Sequence, residues 1–236
     1  YINTLKEFSK NQGHDGSMPP GHNGPYHDNE SPARNTSHFL MAFIRAWELS
    51  DDDGFLASAQ KCLKYLLTEK DRKFNYTFHH REKEGKDNCN GLIGPAWNIE
   101  ALLYAYKKLK NKDAYDLACN LFLMHPFDFE LGIWRRVEPS GEILSSDSTF
   151  NHQLWFAASA SSISFENNKV RERINRFVEK LNDNFNIMPN GRIIHPLFYN
   201  RKIRLKNLLK RIIMSDYRSE IFLKEVGYQS FNLYAF

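Results

Sequence analysis

The sequence predicts an all-α protein, a ring of repeated helical hairpins of the α/α-toroid kind, and three observations carry that prediction. Apolar residues recur at helical spacing in successive pairs of segments. Within each pair the first helix is hydrophobic and the second amphipathic, which an inner and an outer layer require; such pairs build either a solenoid or a closed ring. Long polar loops precede each first helix, and loops of that kind favour a ring, with themselves and their short β-hairpins gathered on one rim. The helix starts expected near Ser37, Ala96, His152 and Gln229 are roughly 55 to 80 residues apart, longer than solenoid repeats of about 20 to 50.

Taken in order, Tyr1 to Lys10 reads as the last turns of a helix. Residues 11 to 34 are rich in Gly, Pro, His and Asn and cannot continue it. A loop of that length is an expected site loop rather than plain disorder, because it also carries Met18, Tyr26 and three histidines. Arg34-Asn35-Thr36-Ser37 offers capping side chains to a helix bearing Phe39, Leu40, Phe43, Ala46 and Trp47. Asp51-Asp52-Asp53 forms a turn at the positive end of the next helix, Phe55 to Leu67. After a loop in which Phe74, Tyr76 and Phe78 alternate as in a short strand, a second pair starts at Pro95-Ala96-Trp97-Asn98 and returns through Ala114, Leu117 and Leu121.

The third pair is preceded by a hairpin, Gly132 to Glu138 and Glu142 to Leu144 about a Pro139-Ser140-Gly141 turn. Its first helix follows Asp147-Ser148-Thr149-Phe150-Asn151-His152-Gln153-Leu154-Trp155 and continues in small residues. A helix that is poor in charge but polar at its start is buried along its length, and its start lines a cavity. Val170, Ile174, Phe177 and Leu181 mark the partner helix, and a fourth pair starts at Gly227 to Asn232. The basic stretch 201–213 reads as a solvated helix face.

At 42% hydrophobic and 25% charged over 236 residues, the chain is an ordinary globular protein, read as one toroid domain spanning 1–236. A net charge of +4 is too small to call for nucleic acid. Three cysteines without a CxxC pair offer no disulfide framework or zinc site, which favours a reducing, cytoplasmic setting. There is no apolar run of about 18 residues, so no stable membrane insertion is expected. Both ends break into helices, as in a piece of a longer protein; a signal in a missing part stays open, as does the oligomeric state.

Three acids fall in equivalent places ahead of an inner helix: Asp15, Asp87 and Asp147. Gathered on one rim, two of them can act as acid and base on a glycosidic bond. Arg34, Arg81 and Arg135 are candidates to hold a substrate carboxylate or phosphate. Trp97, Trp134 and Trp155 are candidates to stack on sugar faces. His14, His38, Asn90, Asn151 and His152 complete the candidate wall. Each acid alone is equally readable as a helix cap, and His152 as a hydrogen-bonded core histidine. No metal or cofactor is expected: the spacing of His14, His22 and His27 matches no zinc pattern, and no phosphate- or dinucleotide-binding motif occurs.

His14-Asp15-Gly16-Ser17-Met18, Asn90 to Trp97 and Asp147 to Ser159 resemble landmarks of the six-hairpin glycosidases, above all the unsaturated glucuronyl hydrolases. The chain also resembles, more loosely, glucuronyl C5-epimerases. Gly21 to Tyr26 and Arg34 to His38 are similar to toroid proteins of bacterial polysaccharide synthesis. The first resemblance implies Asp15 and Asp147 as catalytic carboxylates and Trp97 in the sugar-binding wall. This chain departs from it at Gly16 and Pro95 and lacks the arginine of the second motif. The expectation is a carbohydrate-active hydrolase. The alternatives are a uronic-acid epimerase or lyase drawing on Tyr26, Tyr228 and His152, and a glycan- or partner-binding scaffold.

Overall fold

A computed structural model describes residues 1–22, 27–68, 70–197 and 215–236. The basic stretch 201–213 and Tyr26 lie outside them. A short helix α1 (Ile2–Ser9) leads into three hairpins: α2 (Ala33–Ser50) with α3 (Asp53–Leu67), α4 (Ile93–Leu109) with α5 (Lys112–Met124), and α6 (Phe150–Ser159) with α7 (Asn168–Glu179). A single turn α8 (Leu181–Asn184) follows, and α9 (Ser215–Gly227) and α10 (Gln229–Ala235) close the described chain.

First helices pack on first helices, α2 on α4, α4 on α6 and α6 on α10. The second helices pack likewise, α3 on α5 and α5 on α7. The result is the two-layered, hairpin-repeated arrangement expected from the apolar pattern. The inner helix α4 buries residues on every side, from Ile93 through Ala105, because it lies between neighbours on both flanks and a partner behind. The outer helix α7 buries only Val170 and Phe177 and leaves most of its charged residues to solvent, with Arg173 turned in to the Leu123 and His125 carbonyls.

Among the described residues, strands are confined to the loops before the inner helices. Strand β1 (Asn29–Glu30) pairs antiparallel with β2 (Arg81–Glu82). Strand β3 (Phe127–Asp128) pairs with β4 (Ile133–Val137), and β4 pairs with β5 (Ile143–Ser146), with a register shift between Arg135 and Val137. The hairpin foreseen at 132–144 is present. The strand foreseen at Phe74 to Phe78 is not: this segment is turns and bends, with Asn75 left-handed at φ 59°.

The helix expected near Gln229 starts there, whereas α2 and α4 start a few residues before the expected Ser37 and Ala96. Helix α2 begins at Ala33, so Thr36 and Ser37 sit in its first turns and bond to other parts of the chain rather than capping it. The Thr36 hydroxyl accepts from the Met18 N–H (2.9 Å), and the Ser37 hydroxyl accepts from Asn98 Nδ2 (2.8 Å). Where a local cap does form it is plain: Asp52 accepts from the Gly54 N–H at the start of α3, and Asn111 from the Ala114 N–H at the start of α5.

Two buried histidines tie neighbouring elements together. His80 Nε2 donates to Asn98 Oδ1 (2.8 Å), which links the loop before α4 to α4 and through Ser37 to α2. His125 Nδ1 donates to the Arg135 carbonyl (3.0 Å). Burial pushes His80 down to about 3 and His125 down to about 4. Both are therefore neutral in the fold, while the unfolded chain takes up two protons as pH falls through the ordinary histidine value near 6.5. Stability from this pair is complete above that value and is lost as pH falls. Near pH 5 the pair should contribute a slope of about 2.7 kcal/mol per pH unit, read by urea unfolding at pH 7, 6 and 5.

Candidate functional site

The polar start of α6 lines a cavity of about 400 Å³ together with the loop before α4 and the β4–β5 hairpin. Its wall is built from Arg81, Asp87, Gly91, Arg136, Asp147 and His152, with Ser145, Ser146, Ser148 and Thr149 supplying hydroxyls. That volume suits one or two sugar rings by the usual size of small-molecule sites.

Asp147 is 5% exposed and accepts three hydrogen bonds. Its Oδ1 takes the Thr149 N–H (3.0 Å), and its Oδ2 takes the Leu92 N–H (2.9 Å) and His152 Nδ1 (2.8 Å). Burial on its own raises a carboxyl. Here the charge and hydrogen bond of His152 and the two backbone donors outweigh it and hold Asp147 well below the carboxylate range. The Leu92 contact also explains why α4 starts without a cap from its own first residues: the acid that serves it comes from the next hairpin.

That approach depends on Asn90 and Gly91, which are both left-handed, with φ 57° and 63°. Across these two residues the Gly91 N–H faces Asp87 and the Leu92 N–H faces Asp147. Asn tolerates the left-handed region and glycine suffers no Cβ penalty there. Asp87 sits across the same turn. Its Oδ1 accepts the Gly91 N–H (2.9 Å) and pairs with Arg81 Nη2 (2.9 Å), while Oδ2 pairs with Arg136. Arg81 further donates Nε to the Asp87 carbonyl (2.9 Å), and Arg136 donates to the Ser145 carbonyl and hydroxyl.

Of the residues singled out from sequence, the cavity thus gathers Asp87, Asp147, Arg81 and His152. Asn90 and Asn151, next in sequence to the lining residues Gly91 and His152, are buried and do not line it, and the Asn151 Oδ1 has no hydrogen-bond partner. Asp15 does not line the cavity: it is exposed, pairs with Lys70 and folds back on Ser17 (2.7 Å to Oγ), with His14 exposed beside it. Trp134 cannot stack on a ligand, because it is fully buried among Phe122, Phe127, Phe156 and Phe177. Trp155 faces a separate, largely apolar groove, where it stacks on Tyr234 at 5.4 Å. Arg135 is exposed and donates to the Leu144 carbonyl; the guanidinium on the cavity wall is its neighbour Arg136.

A second aromatic group stands apart from this wall. Trp97, half-buried on α4, has the Arg34 guanidinium over its ring at 5.6 Å and the His38 ring edge-on at 5.6 Å. Arg34 is itself held by Glu30 (2.8 Å) and the His22 carbonyl (3.0 Å). Among the described residues no cluster of His, Cys, Asp and Glu is arranged to hold a metal ion, and no helix is long and apolar enough to cross a membrane.

The fold defines a class of architecture, the α/α toroid. It is shared with cellobiose 2-epimerase from Bacillus thermoamylovorans (TM-score 0.61, 14% identity, 83% of this chain and 58% of that one). It is shared also with an unsaturated glucuronyl hydrolase variant studied with dGlcA-Glc-Rha-Glc (TM-score 0.54, 16% identity, 80% of this chain and 57% of that one). In sequence the chain is similar to archaeal glycosylation protein Q of Haloferax volcanii, 43% identical over 239 residues. That match takes in 94% of this chain, which spans 64% of the length of that relative. No family model matches.

Proposed function

We propose that the chain is a sugar-processing enzyme in which His152, oriented by Asp147, moves a proton at a carbon beside a carbonyl or carboxylate. The reaction class is epimerisation or isomerisation. One observation carries this reading, the hydrogen bond from His152 Nδ1 to Asp147. A carboxylate held ionised only accepts, so Nδ1 carries the hydrogen and Nε2 is the nitrogen left for chemistry. The neutral ring then takes a proton at Nε2, and the imidazolium is stabilised by Asp147; isomerisation returns the proton from the same atom to the neighbouring carbon, whereas epimerisation takes the returning proton from water on the opposite face.

Arg81 and Arg136 set two guanidiniums on the same wall, suited to the oxygen that gains charge when the proton leaves. With Asp87 and Asp147 opposing them, the charged wall is neutral when His152 is neutral and carries one positive charge when it is protonated. The similarity to a glycosylation protein supports a sugar as the substrate. The two toroids of like fold include an epimerase and a hydrolase, so the choice between them rests on the cavity.

Hydrolysis is the second reading, favoured by Asp87 and Asp147 sharing one cavity. It requires one carboxyl of the pair to be protonated as general acid. Asp147 is held ionised, and both oxygens of Asp87 are engaged by the guanidiniums of Arg81 and Arg136. The test uses purified chain in D2O with glucuronate and with cellobiose as probes. The expected outcome is deuterium at the carbon next to the carboxylate or carbonyl, absent in His152→Ala. New reducing ends from an unsaturated glucuronyl disaccharide, with no deuterium in either probe, would reverse the order of the two readings.

A further inference from the structure

The backbone leading into α4 is bound by acids from three different places. Asn88 N–H and Cys89 N–H are accepted by Glu138, at 3.0 and 3.1 Å from its Oε2. Gly91 N–H is accepted by Asp87 and Leu92 N–H by Asp147. Glu138 follows directly on β4, and its own backbone closes the β4–β5 turn: its N–H donates to the Glu142 carbonyl, and its carbonyl accepts the Gly141 N–H. The same hairpin carries Arg136, which reaches Asp87. One rigid hairpin therefore grips the 87–92 segment twice, once through the Glu138 carboxylate and once through the Arg136 guanidinium.

We infer that Glu138 is a positioning residue for His152. It fixes residues 88 and 89, and with them the left-handed Asn90-Gly91 turn that presents the Leu92 N–H to Asp147 Oδ2. The oxygen so anchored is the one that receives His152 Nδ1. Glu138 does not line the 400 Å³ cavity; its carboxylate works from behind the loop, on the side of a second cavity lined by Asn88, Pro139 and Glu142. The inference rests on the assignment of His152 as the proton-moving group, but it has a readout that needs no sugar.

That readout is the tautomer of His152, followed by nitrogen-15 NMR of the whole chain with no ligand added. Wild type should show one tautomer, with the hydrogen on Nδ1 and protected from exchange. Glu138→Ala leaves two N–H groups without an acceptor and should lose both the protected signal and the single tautomer. Glu138→Gln keeps one oxygen, enough for the two N–H groups that now share Oε2, and should match wild type. Glu138→Asp keeps the charge but falls one methylene short, and should behave as alanine does; it decides the matter if the alanine variant does not fold. An unchanged His152 spectrum in a folded alanine or aspartate variant overturns the inference. Failure of the deuterium test with the expected NMR responses intact removes the catalytic reading and leaves the positioning standing.

Discussion

Asp147→Asn should leave the chain folded and lower turnover by roughly 10³- to 10⁴-fold, the scale seen when the acid behind a catalytic histidine loses its charge. The reasoning is one of donor matching. Two donors, Leu92 N–H and His152 Nδ1, converge on Oδ2, and one, Thr149 N–H, reaches Oδ1. The asparagine oxygen will take the place that satisfies two donors, which turns its NH2 against the Thr149 N–H. His152 keeps a neutral acceptor but loses the negative charge that stabilises its protonated form. Asp147→Ala should do more, because it strands three donors at a buried position, and a loss of about 3–5 kcal/mol is expected on the scale of a broken buried pair. Denaturant unfolding of the two variants beside wild type separates loss of charge from loss of structure. With its carboxyl held low, Asp147 contributes stability at all pH values above the ordinary carboxylate value, lost only as pH falls through its folded value. The rate should therefore show no step from this group between pH 5 and 8.

The hairpins were legible because burial on one face leaves a helical period in the sequence, and α2 to α7 lie where that period places them. Their starts were less so. The starts of α2 and α4 rest on partners distant in sequence: Met18 and Asn98 for the first turns of α2, Asp147 for α4. Local capping rules then mark the wrong residue. At the site, Asp87, Arg81, Asp147 and His152 stood out by type and position. Asp15 stood out equally, and nothing local reveals that Lys70, fifty-five residues on, neutralises it. The sequence does not distinguish Arg136 from Arg135: two successive arginines in a strand face opposite ways, and the register shift beside them removes the alternation that would choose between them. Trp134 shows the same limit from the other side. An indole suits a sugar face and a core equally well, and only the packing of Phe122, Phe156 and Phe177 around it decides.

Gly91→Ala should separate the two halves of the proposed dyad, and Gly85→Ala should show how much of that effect is mere backbone strain. Both glycines are left-handed, at φ 63° and 74°, so both substitutions carry the cost of placing an L side chain there, roughly 1–2 kcal/mol. At Gly85 that is all, since a Cβ meets nothing within 4 Å. At Gly91 the Cβ would lie 2.5 Å from Asp147 Oδ2 and 2.7 Å from His152 Nδ1, between the two atoms whose hydrogen bond orients the ring. Neither neighbour can yield easily: the carboxylate is held by Leu92 and Thr149, and the ring by the carboxylate. Gly85→Ala should thus lower the unfolding free energy by that strain alone and keep turnover near wild type. Gly91→Ala should show a larger stability loss and a fall in turnover comparable to Asp147→Asn, together with loss of the protected Nδ1 proton. Turnover near wild type in both alanine variants would mean that the dyad geometry does not matter to the reaction, and His152 would return to a structural role.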